Sequence, residues 1–119
     1  MLLHCIADLY SWEMENLSFM QTTTGRYIYH ALTRQALLSE GNCLEVPLKP
    51  LFLTQHFTEK ALRIRIQDMA AQGWVETVRS KGDNRTKCLV PTEKFMSLLH
   101  AHAQVAQNCF RNKFLIIPR

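Results

Sequence analysis

The chain has 119 residues, 47% of them hydrophobic and 20% charged, which suits one domain around one core and is too short for two ordinary domains. No polar tract is long enough to suggest disorder beyond the ends, and no stretch reaches the roughly 18 apolar residues of a membrane helix, so no membrane partner is expected. The net charge of +4 hides an asymmetry that points to a polyanionic partner for one part of the molecule: residues 1–47 hold two basic and five acidic side chains, residues 48–90 eight and four, and residues 91–119 four and one.

The opening Met1-Leu2-Leu3-His4-Cys5 lacks the basic start of a secretory signal, which predicts a cytoplasmic protein. In that reducing setting Cys5, Cys43, Cys88 and Cys109, widely spaced and without a Cys-x-x-Cys pair, read as free, part-buried thiols. Apolar residues at Leu3, Ile6, Tyr10, Met14, Leu17 and Met20 recur in steps of three and four and predict one face of a helix. Gln21 to Gly25 interrupts it. Residues 26–39 resume helical spacing at Ile28, Ala31, Leu32 and Leu38, with Gly41 as the stop and residues 42–46 as a connector holding at most a short extended piece.

Pro47 suits a first helical turn, and Pro50 keeps that helix short, with Leu48 and Leu51 inward. The chain turns over Thr54 to Phe57. Thr58 is an N-cap, Glu59 sits in the positively polarised first turn, and Glu59 to Gln72 is a helix with Leu62, Ile66, Met69 and Ala70 on its apolar side and Gly73 at its end. The period then alternates. Trp74 to Val78 and Thr86 to Val90 read as two strands around a polar loop, Arg79 to Arg85. Thr92 caps a last helix whose apolar side is Phe95, Leu98, Leu99, His102, Val105 and Ala106. The tail from Arg111, with Pro118, is not expected to be helical.

The order short helix, turn, capped helix, Gly-Trp-Val, strand, basic loop, strand is more specific than any of its parts. It predicts a mainly α protein with a small β-hairpin, a winged helix-turn-helix, over the single unit 1–119: N-terminal helices in 1–40, the motif and wing in 47–91, and the C-terminal helix in 92–110. Lys60, Arg63, Ile64 and Gln67 lie away from the buried stripe of the capped helix, with Arg65 flanking it. A helix of this size fits the major groove of B-DNA, where arginine grips guanine and glutamine adenine through paired hydrogen bonds. Arg79, Lys81, Arg85 and Lys87 make the hairpin tip basic and suit phosphates or a neighbouring minor groove. A basic stripe by itself is most often a solvated face.

The run from Phe57 to Glu76 resembles the recognition helix of MarR-type regulators, and Asp83 to Thr92 resembles their wing, with Asp83 and Arg85 matching its Asp-x-Arg pattern. The resemblance covers about residues 46–95. It implies a homodimeric transcriptional regulator, repressor-like, on near-palindromic double-stranded DNA, with the flanking helices forming the dimer interface. Thr58, Lys60, Arg63 and Gln67 would then face the major groove, Arg85 would reach the minor groove, and Asp83 would orient Arg85. Phe52 replaces a small residue usual in helix-turn-helix units, His56 replaces a glycine usual in the turn, and two prolines crowd the first helix. The flanking helices look trimmed, which argues against a small-molecule effector pocket between the dimer and DNA lobes.

Two other readings share this pattern: a winged helix used for protein contacts, and a mobile-element or replication DNA-binding protein. No nucleophile stands beside an activating base, no glycine-rich phosphate loop is present and the carboxylates are scattered, so neither an enzyme nor a cofactor is expected. His100 and His102, two apart on a helix, diverge too far to share a metal. Cys88 reads as a small inward strand residue, and Trp74 as a core plug. Trp12 and Tyr10 fit core or dimer contact equally.

Overall fold

The computed structural model describes residues 2–39, 44–80 and 86–114. The expected helix stop at Gly41, Cys43, the wing tip with Lys81, Asp83 and Arg85, and the end of the tail lie outside the described residues. The elements are α1 (Leu2–Asn16), a 3-10 turn (Ser18–Gln21), α2 (Thr23–Ser39), β1 (Val46–Pro47), α3 (Leu48–Phe52), α4 (Glu59–Ala71), β2 (Val75–Arg79), β3 (Lys87–Pro91) and α5 (Glu93–Phe114).

The first expected helix divides in two. α1 ends at Asn16, and Leu17, Phe19 and Met20 turn into the core through the 3-10 segment. The stripe Leu3, Ile6, Tyr10 and Met14 instead stands in solvent, at 77, 51, 53 and 37% exposure. Cys5, on the far side of α1, faces α5. The period was legible, but it marks a surface that this single chain does not cover.

Gly25 does not interrupt a helix; it lies inside one. Thr22 is the cap of α2, accepting the Gly25 N–H at 3.1 Å while its hydroxyl donates to the Phe19 carbonyl at 3.2 Å. A Cβ on Gly25 would lie 1.7 Å from that same Phe19 oxygen. Glycine is there because the 3-10 turn lies directly on the helix.

The sheet has three strands rather than two, in the order β1-β3-β2, all antiparallel. Pro47 closes β1 and is also the N-cap of α3, so it stands one residue before the first helical turn instead of within it. β2 begins at Val75, one residue later than expected, which leaves Trp74 outside the strand and puts Arg79 inside it. Val75 pairs with Pro91, Thr77 with Leu89 and Arg79 with Lys87. Because strand side chains alternate, Arg79 and Lys87 share the face of buried Val75 and Leu89, the face toward α3 and α4.

One core joins the layers: Ile28, Tyr29 and Leu32 of α2, Leu48 and Leu51 of α3, Leu62, Ile66 and Met69 of α4, Val75 and Leu89 of the sheet and Phe95 of α5. Ala70, expected on the apolar side of α4, is exposed. Phe19 is the hub for aromatic rings, with Tyr29, Trp74 and Phe95 centroids 5.5, 5.6 and 6.2 Å away. Cys88 is buried as expected. Trp74 is only half-buried, edge-on to Phe19 with the Lys94 ammonium 4.2 Å from its ring centroid, so it closes the core from outside. α5 carries its helix through Arg111 to Phe114, past the point where the tail was expected to leave it.

Candidate nucleic-acid interface

α4 is fixed at both ends by local chemistry. Thr58 has extended backbone, and its hydroxyl accepts the Ala61 N–H at 3.1 Å, satisfying one of the free donors of the first turn. At the other end the Trp74 N–H reaches the Met69 carbonyl (2.9 Å) and the Gly73 N–H reaches Ala70 (3.0 Å). This paired closure requires a left-handed residue, and Gly73 supplies it with φ +83°. Thr92 then joins this end of α4 to α5. Its hydroxyl donates to the Gly73 carbonyl (2.6 Å) and accepts the Phe95 N–H (3.3 Å) as the cap of α5.

With Leu62, Ile66 and Met69 buried, α4 turns Lys60, Arg63, Ile64 and Gln67 outward, all exposed. Arg63 is held only lightly. Its Nε donates to Glu59 Oε2 at 2.8 Å, and its guanidinium lies 4.6 Å from the Phe52 ring centroid. Both partners of that ion pair are more than half exposed (55 and 57%), where such pairs contribute only about 0.3–0.5 kcal/mol. Arg65 is different. It is half-buried, its Nε donates to Thr24 Oγ1 at 3.3 Å, and its terminal nitrogen meets Asp68 at 3.2 Å. It faces α2 and braces the helix from behind.

Between α3, the first turns of α4 and β3 lies an open groove of about 570 Å³. Its apolar floor is Leu48, Phe52 and Leu53, and Lys49, Arg63 and Lys87 stand around it with Glu59 as the acid. A smaller recess of about 140 Å³ beside it brings Gln67, Thr77 and Lys87 together. The structure therefore gathers Lys60, Arg63, Ile64, Gln67 and Lys87, with Thr58 at the helix start and Arg79 across from Lys87 in the ladder. It turns Arg65 away. Lys49 and Phe52 were not expected here. The spacing Glu59 to Arg63, four apart with the acid first, was visible in the sequence and would have found the ion pair.

Away from this face, α1, α2 and α5 meet in a polar cluster. His102 Nε2 lies 2.7 Å from Glu13 Oε2, Nδ1 lies 2.6 Å from the Tyr29 hydroxyl, and the ring stacks on Trp12 at 5.6 Å. A carboxylate only accepts, so Nε2–H donates to Glu13, and in the neutral ring Nδ1 accepts from Tyr29. Burial, and then the Glu13 charge, push the Tyr29 phenol up to about 12. A phenol whose folded value lies above its unfolded one holds its proton through alkaline conditions, so its contribution is present below about pH 10 and is lost as pH rises toward 12. The phenolate absorbance missing from Tyr29→Phe, read as a difference from wild type, is expected to titrate near 12 with unfolding. A component titrating near 10 in the folded protein would contradict the buried network. Among the described residues no group of three His, Cys, Asp or Glu side chains is placed to hold a metal ion. Among the described residues no helix is long and apolar enough to cross a membrane.

No protein-family model matches the chain, and no curated protein sequence matches it. Solved structures do. The transcriptional regulator Tm0710 from Thermotoga maritima is similar with a TM-score of 0.59 at 15% identity, over 92% of this chain and 81% of that one. YusO from Bacillus subtilis gives 0.58 at 8% identity, over 99 and 82%. The transcriptional regulator BldR from Sulfolobus solfataricus gives 0.52 at 18%, over 99 and 83%. The chain thus has the winged-helix fold of MarR-type transcriptional regulators, the fold that its residues 46–95 resemble. At these identities the likeness is one of backbone architecture.

Proposed function

We propose that the chain binds duplex DNA and regulates transcription as a homodimer, with α4 in the major groove and the β2–β3 wing on the flanking backbone and minor groove. The observation that carries this reading is the outward face of α4. A helix capped at both ends turns Lys60, Arg63 and Gln67 to solvent beside Lys49 and Lys87, while every large apolar side chain of that helix except Ile64 is buried. The first-turn N–H groups near Thr58 suit a phosphate, and Lys60 adds charge there. Arg63 and Gln67 suit base edges, Ile64 suits a thymine methyl, and Arg79, Lys81, Arg85 and Lys87 suit the backbone of the adjoining groove.

Selection of duplexes from a random pool, followed by titration at several salt concentrations, tests it. Affinity is expected to fall steeply with salt and to prefer one near-palindromic site; Lys81→Ala and Arg85→Ala are each expected to weaken all sequences alike and to reduce the salt slope by about 1. Binding that is equal for every duplex and vanishes at moderate salt would favour a protein partner instead. One observation supports that second reading: Leu53, 77% exposed, and Ile64, 48% exposed, put apolar surface on the same side as the cations.

The dimer is supported by the uncovered stripe Leu3, Ile6, Tyr10 and Met14, since a contiguous exposed apolar face on a helix marks a contact surface. Two-fold pairing also matches half-sites about 34–36 Å apart on the duplex, or a multiple of that. Ile6→Glu, at a half-exposed position, is expected to leave the thermal midpoint of the folded chain little changed and to convert the dimer into a monomer in sedimentation. A variant that sediments like wild type would remove α1 from the interface.

A further inference from the structure

The geometry points to Phe52 as a positioning residue for base recognition: its ring holds the Arg63 guanidinium so that the terminal nitrogens of Arg63 meet a guanine already oriented. This rests on the proposal that α4 reads duplex DNA. The Arg63 Cζ lies over the Phe52 ring, 4.6 Å from its centroid. Glu59 engages Nε alone, at 2.8 Å, and among the described residues neither terminal nitrogen has a hydrogen-bond partner. A guanidinium stacks on an aromatic ring through the face of its plane, whereas guanine O6 and N7 are gripped through its edge. The contact with Phe52 and the contact with a base therefore use different parts of the same group and coexist.

Phe52 can serve in this way because it is itself fixed from elsewhere. Leu48 and Leu51 bury α3 in the core, and the Tyr27 hydroxyl of α2 donates to the Leu51 carbonyl at 2.8 Å. The chain then closes around Phe52: the Leu53 N–H reaches the Pro50 carbonyl at 3.1 Å, and the Thr54 N–H reaches the Phe52 carbonyl at 3.0 Å. The Phe52 side chain is half-buried and packs against the core, while the Arg63 side chain that rides on it is 55% exposed. Ordering a long exposed side chain on binding costs about 2- to 12-fold in affinity. The ring takes up part of that ordering before a duplex arrives. The gain is realised only where Arg63 finds two acceptors, so it enters as discrimination between bases rather than as general affinity. A small side chain at position 52 would leave Arg63 without this support.

The test uses the full chain, the duplex it selects from a random pool and the single-base variants of that duplex. Phe52→Leu keeps an apolar side chain and removes the ring. It is expected to lower discrimination about 3- to 10-fold at the position that Arg63→Ala relaxes and at no other, with the salt slope of wild type. Phe52→Tyr keeps the ring and is expected to keep the discrimination. In an Arg63→Ala background, Phe52→Leu is expected to change nothing further, since the pair acts as one unit. In the wild-type chain without DNA, the Arg63 side-chain protons are expected to be shifted upfield by the ring in NMR spectra, a readout that needs no variant to fold. The assignment is overturned if Phe52→Leu weakens every duplex alike or discriminates like wild type, if the Arg63→Ala background shows the same loss, or if the Arg63 protons are unshifted. A pool that yields no preferred duplex removes the DNA reading and this assignment together. A preferred duplex recognised with indifference to the ring at position 52 removes this assignment alone.

Discussion

Arg63→Ala is expected to weaken binding to the preferred duplex by about 1–3 kcal/mol and to relax base preference at one position of each half-site, as measured by titration of a fluorescent duplex and its single-base variants. The expectation follows from what holds this side chain. Glu59 and the Phe52 ring keep it extended along the groove mouth, and neither contact is strong, because the ion pair is open to water. A guanine edge with two acceptors can take the guanidinium from Glu59 at small cost. Arg63→Lys is not expected to rescue, since an ammonium cannot offer the paired donors. Glu59→Gln is expected to raise affinity, as it removes both the competitor and a charge that repels phosphate. An Arg63→Ala protein that folds normally and discriminates bases like wild type would exclude α4 as the reading element.

Gly25→Ala is expected to cost about 3 kcal/mol or more of folding stability, at or beyond the upper end for overpacked sites, and to lower Tm by roughly 10 °C. Its added carbon would lie 1.7 Å from the Phe19 carbonyl oxygen and 2.7 Å from the Phe19 carbonyl carbon. Both are backbone atoms, so no rotamer change relieves the overlap. The 3-10 turn would have to lift from α2, and with it Phe19, against which Tyr29, Trp74 and Phe95 pack. The loss is expected in thermal and urea unfolding alike. A variant melting within a few degrees of wild type would mean that the turn does not press on the helix.

Much of the middle of the chain was legible because its signals are local. Thr58 and Gly73 delimit α4 through hydrogen bonds that a few neighbouring residues decide, and Thr92 caps α5 for the same reason. The parts that misled depend on contacts between distant segments. Gly25 looks like a breaker until Phe19 is known to lie on it. The first stripe reads as one helix through Met20, whereas Leu17 and Met20 reach the core through a 3-10 turn, since periodicity reports that a face is apolar and not what covers it. Strand β1 is two residues long, too short for any alternation, and exists because Val46 and Pro47 pair with Leu89 and Cys88. For the candidate site, Lys60, Arg63, Ile64 and Gln67 followed from helical phase alone. Arg65 did not: its angle on the helix is intermediate, and Thr24, forty-one residues earlier, decides its direction. Lys49 and Phe52 join the site only because α3 lies across the first turns of α4.

The double role of Thr92 has a mechanical consequence. One hydroxyl oxygen joins the residue that closes α4 to the opening turn of α5, and the Lys94 ammonium adds a second tie to the Gln72 carbonyl at 2.7 Å, so a pivot of one helix against the other must break both. Any tilt imposed along α5 would be delivered at its foot to Gly73 and, in the proposed complex, would alter the pitch at which α4 enters a groove. Events at the far end of the molecule would thereby gain a lever on the face proposed to read sequence, through Thr92 and Lys94.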